Sequence, residues 1–451
     1  METKSQLAKL GLFDAKVPRY TSYPTAPHFS NDVGSARFAE WIGKIEPGRP
    51  VSLYVHVPFC RRLCWFCACR TQGTQSDAPV QAYLRTLLDE LDLIAAALPE
   101  GVTLSRLHWG GGTPTLLAPD MMTKLANRIQ DITPFAEGAE FSVEIDPNEI
   151  DEARLDALAA AGMNRASIGI QDFDEQIQNT IGRIQSYDVT RDAIEMIRAR
   201  GIQSLNADIL YGLPHQTRER MTESVQKLLS LNPDRVALYG YAHVPWMARR
   251  QALIPSDHLP TPEERLGLYE TARRLFLWDG FEEIGIDHFA APSDGLAIAR
   301  KEGRLRRNFQ GYTDDSSDVL IGVGASAISR FPQGYAQNAP GTSAHTTAIH
   351  DGAFSTARGH AFKDEDIVRA RMIEALMCDF RISRPEILND HDVTETWLDS
   401  LFANVAEQFP NMVDVGENGL FIPAKARALT RMIARAFDVY DLSKNGHSSA
   451  I

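Results

Sequence analysis

The sequence predicts an α/β protein. A partial, open parallel α/β barrel spans residues 51–355, after an N-terminal extension (1–50) and before a smaller, mostly helical C-terminal domain (356–451). Three observations carry this reading. From about residue 50, short apolar, β-rich runs alternate with longer helical patterns, the rhythm of βα units and a parallel sheet. Several of these runs alternate polar and apolar residues with period two, so they own two different faces. Each also ends in glycine, proline or polar side chains, at the carboxyl ends where parallel α/β folds bind ligands.

The expected strands, in order, are Val51–Val57, Leu104–Trp109, Phe141–Ile145, Arg165–Ile170, Leu205–Leu210, Val236–Tyr241 and Glu283–Asp287. Val80–Leu98, Pro119–Ile132 and Asp151–Ala161 read as helices, the last two with Pro-Asp and Asp-Glu starts suited to helix N-termini. In Phe141-Ser-Val-Glu-Ile-Asp146, the residues Phe141, Val143 and Ile145 oppose Ser142, Glu144 and Asp146. Ala166, Ile168 and Ile170 oppose Ser167, Gly169 and Gln171, and Asn206 and Asp208 oppose Ala207 and Ile209. If the apolar faces meet helices, the polar faces line an interior. A packed closed barrel fills its centre with branched apolar side chains, so a wide barrel holding a ligand fits better.

The extension contains Tyr20-Thr-Ser-Tyr-Pro-Thr-Ala26, too polar and proline-broken for a core element. After about residue 360 the βα rhythm stops. Helical patterns at Asp364–Cys378 and Lys425–Phe437 flank a hairpin over Met412–Ile422, turning at Gly416 and Gly419. A lid over the substrate is expected here, and the tail after Leu442 is expected to be disordered.

Composition narrows the function classes. The 451 residues are 44% hydrophobic and 23% charged, as in ordinary globular proteins. No apolar run approaches the roughly 18 residues of a membrane span, and the start Met-Glu-Thr-Lys-Ser-Gln lacks a signal-peptide core. A cytoplasmic, reducing setting is expected. The net charge of −13 and the acidic Asp390–Glu407 stretch argue against a nucleic-acid partner.

Four of the five cysteines lie in His56-Val-Pro-Phe-Cys60-Arg-Arg-Leu-Cys64-Trp-Phe-Cys67-Ala-Cys69. Thiolates crowded this way in a chain otherwise almost free of them suit metal binding. The C-x3-C-x2-C spacing gives three ligands in one loop, enough for a four-iron cluster with one iron left open. A structural zinc normally staples distant pieces of chain, and disulfides belong to small secreted domains; both fit less well. Cys378, in an amphipathic helical stretch, reads as core packing.

The cysteine spacing resembles the cluster motif of the radical S-adenosylmethionine (SAM) superfamily. Pro18-Arg-Tyr-Thr-Ser-Tyr-Pro-Thr-Ala26, Cys67-Ala-Cys69, His108-Trp-Gly-Gly-Gly-Thr-Pro-Thr115, Asn308-Phe-Gln-Gly-Tyr312 and Tyr335-Ala-Gln-Asn338 resemble one family within it, the oxygen-independent coproporphyrinogen III oxidases. The resemblance runs from about residue 18 to the C-terminal helices. It implies a barrel of radical SAM type with the Tyr20–Ala26 segment across its mouth, a [4Fe-4S] cluster and two molecules of S-adenosyl-L-methionine. It also implies anaerobic conversion of two propionates of coproporphyrinogen III to vinyl groups, giving protoporphyrinogen IX for haem synthesis, by a 5′-deoxyadenosyl radical. Residue by residue, it makes Cys60, Cys64 and Cys67 the cluster ligands. Tyr54, Phe66, Gly111, Gly112, Thr113 and Glu144 would hold the first SAM, and Gln171, Arg183, Asp208, Ala242 and Ile328 the second. Tyr54, Glu144 and Arg183 are the expected catalytic residues. A tetrapyrrole substrate, an electron donor such as a flavodoxin or ferredoxin, and a monomeric state complete what the resemblance implies.

The residues themselves agree with parts of this. Glycines let backbone approach a ligand, and a carboxylate aimed into a barrel needs a cation to meet it. Arg183 has an alternative as a surface charge. Arg300, Lys301, Arg304, Arg306 and Arg307 form a basic run that is either a solvated helix face or a place where Arg306 or Arg307 meets a propionate. His56, His243 and His288 read as internal hydrogen-bonding residues rather than metal ligands. A haem-carrying chaperone and a haem-opening radical methyltransferase are the competing functions. The Cys67–Cys69 pair and the Tyr20–Ala26 segment speak against the chaperone.

Overall fold

In the computed structural model, which describes residues 2–363, 365–441 and 449–451, the run of alternate valines and leucine after Pro50 forms strand β1 (Pro50–Val57). Val51, Leu53, Val55 and Val57 are buried in the main apolar core, and Ser52, Tyr54 and His56 take the opposite face. Two short strands, β2 (Phe59–Cys60) and β3 (Gln72–Gly73), pair in parallel across the following loop. Strands β4 (Thr103–Gly111), β5 (Phe135–Ile145), β6 (Arg165–Gln171), β7 (Ser204–Tyr211) and β8 (Arg235–Gly240) then join β1 in order, each parallel to the last.

The crossovers are helical. After α1 (Glu2–Lys9) and α2 (Ser35–Gly43) come α3 (Ala78–Ala97), α4 (Pro119–Ile132), α5 (Glu152–Ala160), α6 (Glu175–Ile181), α7 (Tyr187–Ala199) and α8 (Arg218–Leu229). Asp151, Asp174, Ser186 and Thr217 cap α5 to α8 by accepting from a first-turn amide. The apolar stripes of α5, α7 and α8 pack on Phe141, Val143, Ile145, Ala166, Ile168, Ala207 and Ile209, the strand residues expected to meet helices, and α6 packs Ile177 and Ile181 with Leu210 and Leu213.

The last expected strand, Glu283–Asp287, is corrected. The chain enters from α9 (Pro262–Trp278), forms β9 (Glu282–Ile284), turns at Gly285 (φ +54°) and returns as β10 (His288–Ala290). β10 runs antiparallel to both β8 and β9. A side chain at Gly285 would strike the Tyr312 ring, so the turn needs glycine. Beyond α10 (Gly295–Lys301) lies a hairpin of β11 (Arg306–Asn308) and β12 (Gly311–Thr313). β13 (Leu320–Val323) then pairs in parallel with the other side of β1, and β14 (Ile328–Phe331), β15 (Gly334–Asn338) and β16 (Thr356–Ala361) follow antiparallel. α11 (Thr342–His350) lies between the last two. The result is a twelve-stranded, linear sheet, β16-β15-β14-β13-β1-β4-β5-β6-β7-β8-β10-β9. It reaches Ala361, a little past the expected boundary at 355.

A second apolar core unites α12 (Asp366–Asp379), α13 (Arg384–Asp390), α14 (Glu395–Gln408) and α15 (Thr430–Arg435) with the small sheet β17 (Arg381–Ser383), β18 (Asp414–Gly416) and β19 (Gly419–Phe421). The expected hairpin is β18–β19. The expected helix over Lys425–Phe437 is instead a 3-10 turn followed by the short α15, and Asp364 lies outside the described residues. Cys378 is buried, as expected. The polar segment 20–26 is irregular, yet Tyr20 and Tyr23 are buried in this second core. Tyr20 donates to Asp438 Oδ2 (2.9 Å), and the Val439 amide donates to the Tyr23 oxygen (3.2 Å). Of the tail, residues 442–448 lie outside the described residues. The last three are ordered, correcting the expectation for them: Ser449 bridges Lys16, and Ala450 and Ile451 are buried.

The barrel floor is ionic. Arg165 meets Glu140 (2.7 Å), Arg235 meets Asp294 (2.8 Å) and Arg106 meets Asp314 (2.8 Å). Arg165, Arg235 and Asp294 are all buried. Removing one partner of a buried pair strands the other charge, at a cost of about 3–5 kcal/mol. Asp294 also caps α10 through the Leu296 amide (2.8 Å). Asp294→Ala is therefore expected to lower unfolding free energy by that amount in guanidinium titrations, and Asp294→Asn, which keeps the cap, by less.

Candidate active site

β1 carries the chain to the rim, where the cysteine loop begins. Cys60, Cys64 and Cys67 are free and half-buried, and Cys69 is exposed. Backbone hydrogen bonds fix the loop: Gln72 N to Pro58 O (2.8 Å), Thr74 N to Cys60 O (3.0 Å) and Trp65 N to Ile181 O (2.9 Å). The glycine turn after β4 is hooked to the same loop, Gly112 N donating to Val57 O and Thr113 N to Phe59 O (both 2.8 Å). A Cβ on Gly112 would lie 2.6 Å from Phe59 O and 2.8 Å from Pro58 C, so this contact requires glycine.

Two guanidinium groups attend the thiols. Arg183 Nη1 lies 3.6 Å from Cys64 Sγ, and Arg250 hydrogen-bonds the loop at Thr71 Oγ1 (2.9 Å). A hydrogen bond from the Cys69 thiol, outweighing burial, holds Cys67 below the ordinary thiol range, helped by the Cys69 amide and both arginines. Burial pushes Cys60 up to about 11, against a Thr113 hydrogen bond. Among the described residues no three His, Cys, Asp or Glu side chains gather tightly enough to hold one metal ion, as a structural zinc would require. Three free thiols around one loop, two cations and a glycine cradle do fit an iron–sulfur cluster.

Tyr54, Gly111, Gly112, Thr113 and Glu144 converge beside this loop. The Tyr54 ring stacks on His108 (5.6 Å between centroids, 14°), and its hydroxyl meets His56 Nδ1 at 3.0 Å. His56 Nε2 lies 3.2 Å from the Arg70 carbonyl. Glu144 accepts from the Gly111 amide (3.0 Å) and from His108 Nε2 (3.3 Å). Burial works to raise the Glu144 carboxyl, but the His108 contact and the Gly111 amide outweigh it, so it sits below the ordinary carboxylate range. Phe66 joins the group through its carbonyl, which accepts from Gln251 Nε2 at 2.7 Å.

The second set is more dispersed. Arg183 is no surface charge: its side chain is 12% exposed. It donates to Gly169 O (2.8 Å) and Gln185 Oε1 (3.0 Å) and lies 3.4 Å from Asp146. Burial works against its charge, which Asp146 and Cys64 more than restore. Gln171 ends β6 in a left-handed conformation (φ +73°). Asp208 accepts from Asn206 Nδ2 (2.8 Å). Burial, against the Asn206 hydrogen bond and with repulsion from Glu144, pushes Asp208 up to about 7. Ala242 follows β8 and shares the Gln251 amide with Phe66 (3.0 Å). Ile328, on β14, stands beyond β1 at the other side of the strand order, its carbonyl against Gly322, which pairs with Tyr54.

Sequence reasoning missed Gln251 and Arg250, because the pieces they join are more than 170 residues away (|i−j| = 185 and 179). His108 was visible as part of a motif, but its stacking on Tyr54 follows from β1–β4 register. His56, His243 and His288 are internal hydrogen-bonding residues, as expected. The basic run divides. Arg300 and Lys301, on α10, pair with Glu282, whereas Arg306 and Arg307 lie on β11.

The description Radical SAM superfamily matches residues 54–228. The chain is 66% identical to the oxygen-independent coproporphyrinogen III oxidase of Paracoccus denitrificans, over 100% of both chains. It is 37% identical to the enzyme of that name from Escherichia coli, over 96% of this chain and 95% of the relative. The solved structure of the E. coli coproporphyrinogen III oxidase, described as a radical SAM enzyme, aligns with a TM-score of 0.89 at 36% identity, covering 95% of this chain and 100% of that one. The chain belongs to the oxygen-independent coproporphyrinogen III oxidase family of the radical SAM superfamily.

Proposed function

We propose that this chain oxidatively decarboxylates two propionates of coproporphyrinogen III to vinyl groups, giving protoporphyrinogen IX without oxygen. The observation that carries the reading is the carboxyl end of one sheet, where a three-thiol loop meets a glycine cradle with the partly exposed carboxyls of Glu144 and Asp208 on β5 and β7, in a chain of this family. A [4Fe-4S] cluster held by Cys60, Cys64 and Cys67 would supply the electron for reductive cleavage of S-adenosyl-L-methionine, and with it the hydrogen-abstracting chemistry the reaction needs. For each propionate, one hydrogen atom leaves the carbon β to the carboxylate. Carbon dioxide then departs, and one electron passes to an acceptor.

On this reading Cys60, Cys64 and Cys67 hold the cluster and Cys69 shapes their loop. Tyr54, Phe66, Gly111, Gly112, Thr113 and Glu144 bind one SAM, with the ionised Glu144 meeting its amino group. Gln171, Arg183, Asp208, Ala242 and Ile328 bind a second. Arg183 is buried between Asp146 and Cys64, where it orients both halves of the site. An electron donor such as a flavodoxin or ferredoxin, a cytoplasmic setting and a monomeric enzyme belong to the same proposal. The exposed Cys69 thiol beside three other free thiols suits a reducing compartment. Among the described residues no helix is long and apolar enough to cross a membrane.

Incubated without air with coproporphyrinogen III, reductant and SAM, the enzyme is expected to release carbon dioxide and form vinyl tetrapyrroles. Bound haem without turnover, or a methylated linear tetrapyrrole, would overturn the reading. Gly112→Ala is expected to lose most of its iron and sulfide on anaerobic reconstitution, because the new Cβ collides with backbone at the loop base. Gly34→Ala, with open space and ordinary φ, retains them. Asp208 yields a pH prediction. Below its value of about 7 it is mostly protonated, so a cationic ligand that ionises it must expel a proton. Calorimetry in buffers of different ionisation enthalpy is expected to show up to one proton released on SAM binding near about pH 6 and none near about pH 8.5, affinity rising between them. Asp208→Asn removes this dependence.

A further inference from the structure

Between the segment Tyr20–Tyr23, the β11–β12 hairpin and α12 lies a cavity of about 200 Å³. Four arginines line it, Arg306, Arg307, Arg330 and Arg371, with Glu374. Arg371 is already paired, with Glu374 (3.2 Å) and Glu386. Of the other three, among the described residues, only Arg307 has a carboxylate within ion-pair range, Asp287, at a distance too long for a hydrogen bond. Among the described residues, Arg306 reaches a carbonyl, Leu305 O at 3.1 Å, and Arg330 meets the Tyr335 phenol; neither makes an ion pair.

Arg307 is the least satisfied. Its side chain is 5% exposed, and its Nε and Nη1 have no hydrogen-bond partner. The nearest carboxylate oxygen, Asp287 Oδ1, lies 3.6 Å from Nη1, and the guanidinium rests over the Tyr312 ring (4.5 Å). Buried donors of this kind are rare in folded proteins because each forfeits the hydrogen bonds it had in water. A carboxylate is the ligand a planar guanidinium fork fits.

The place and size of the recess say which carboxylate. Arg330 follows Ile328 by two residues on β14, so the two side chains share a face about 7 Å apart. A ligand in the barrel interior at Ile328 therefore reaches Arg330 with a short arm. Pockets that enclose a whole drug-sized molecule measure roughly 300–1,000 Å³, so this one takes a side arm and leaves the macrocycle in the barrel.

We propose that Arg307 and Arg330 form a carboxylate subsite for a propionate that is not undergoing decarboxylation, with Arg306 adding charge at its edge. This rests on the proposed substrate. A tetracarboxylate anchored by one arm presents another to the reacting centre, and binding energy from the remote arm serves orientation.

The test uses the anaerobic, cluster-loaded enzyme and equilibrium binding of coproporphyrinogen III, its tetra-amide and SAM. Arg307→Gln and Arg330→Gln are each expected to weaken coproporphyrinogen III binding by roughly tenfold or more. Tetra-amide binding, SAM binding and iron content are expected to match wild type. Unchanged coproporphyrinogen affinity in both variants overturns the subsite. A selective loss of SAM affinity also overturns it, assigning the recess to the cofactor's carboxylate. Equal weakening of tetra-amide and acid overturns it as well, leaving the arginines a structural role. If Arg307→Gln fails to fold, Arg330→Gln decides the matter, since Arg330 is only half-buried. Wild type that binds neither tetrapyrrole sinks the substrate assignment instead.

Discussion

Arg165 and Arg235 stand buried at the floor of the barrel, held by Glu140 and Asp294. An interior lined with polar faces cannot rest on apolar filling, so it has to be balanced charge by charge. The balance changes with depth. Ion pairs close the bottom, Ser167, Asn206 and Asp208 hydrogen-bond one another at mid-height, and the thiols with Arg183 occupy the rim.

Glu144 and Asp208 occupy the middle layer on β5 and β7, with β6 between them, and they differ in charge for local reasons. His108 and the Gly111 amide hold Glu144 ionised. Asp208 is desolvated and faces the charge on Glu144, which together outweigh the Asn206 hydrogen bond and push it up to about 7. The interior thus holds one carboxylate kept ionised and one poised to change charge around neutral pH. Gln251 ties the halves together by bridging Phe66 O and Ala242 O.

Much of this was legible in the chain. The period-two faces of Phe141–Ile145 and Arg165–Gln171 pointed to a polar interior, since each is a local pattern that burial enforces. The cysteine spacing was equally local. What stayed hidden was set by distant partners. Glu283–Asp287 has the composition of another parallel strand, but the chain reverses at Gly285, where Tyr312 from the β11–β12 hairpin leaves no room for a side chain. Arg183 looks like any arginine near a helix start until Asp146 and Cys64 fold around it. Tyr20 and Tyr23 sit in a polar run, and their burial depends on helices more than 340 positions later. The basic run was divided by secondary structure, with α10 taking Arg300 and Lys301 and β11 taking Arg306 and Arg307.

The bond between Tyr20 and Asp438 spans 418 positions, which bears on the order of assembly. The glycine clamp on the cysteine loop draws on residues 57–113, whereas Trp65 needs Ile181 and the Tyr20–Tyr23 segment needs the final helices. Contacts so far apart in sequence close late, so during synthesis the sheet strands emerge before the N-terminal segment has its partner helices.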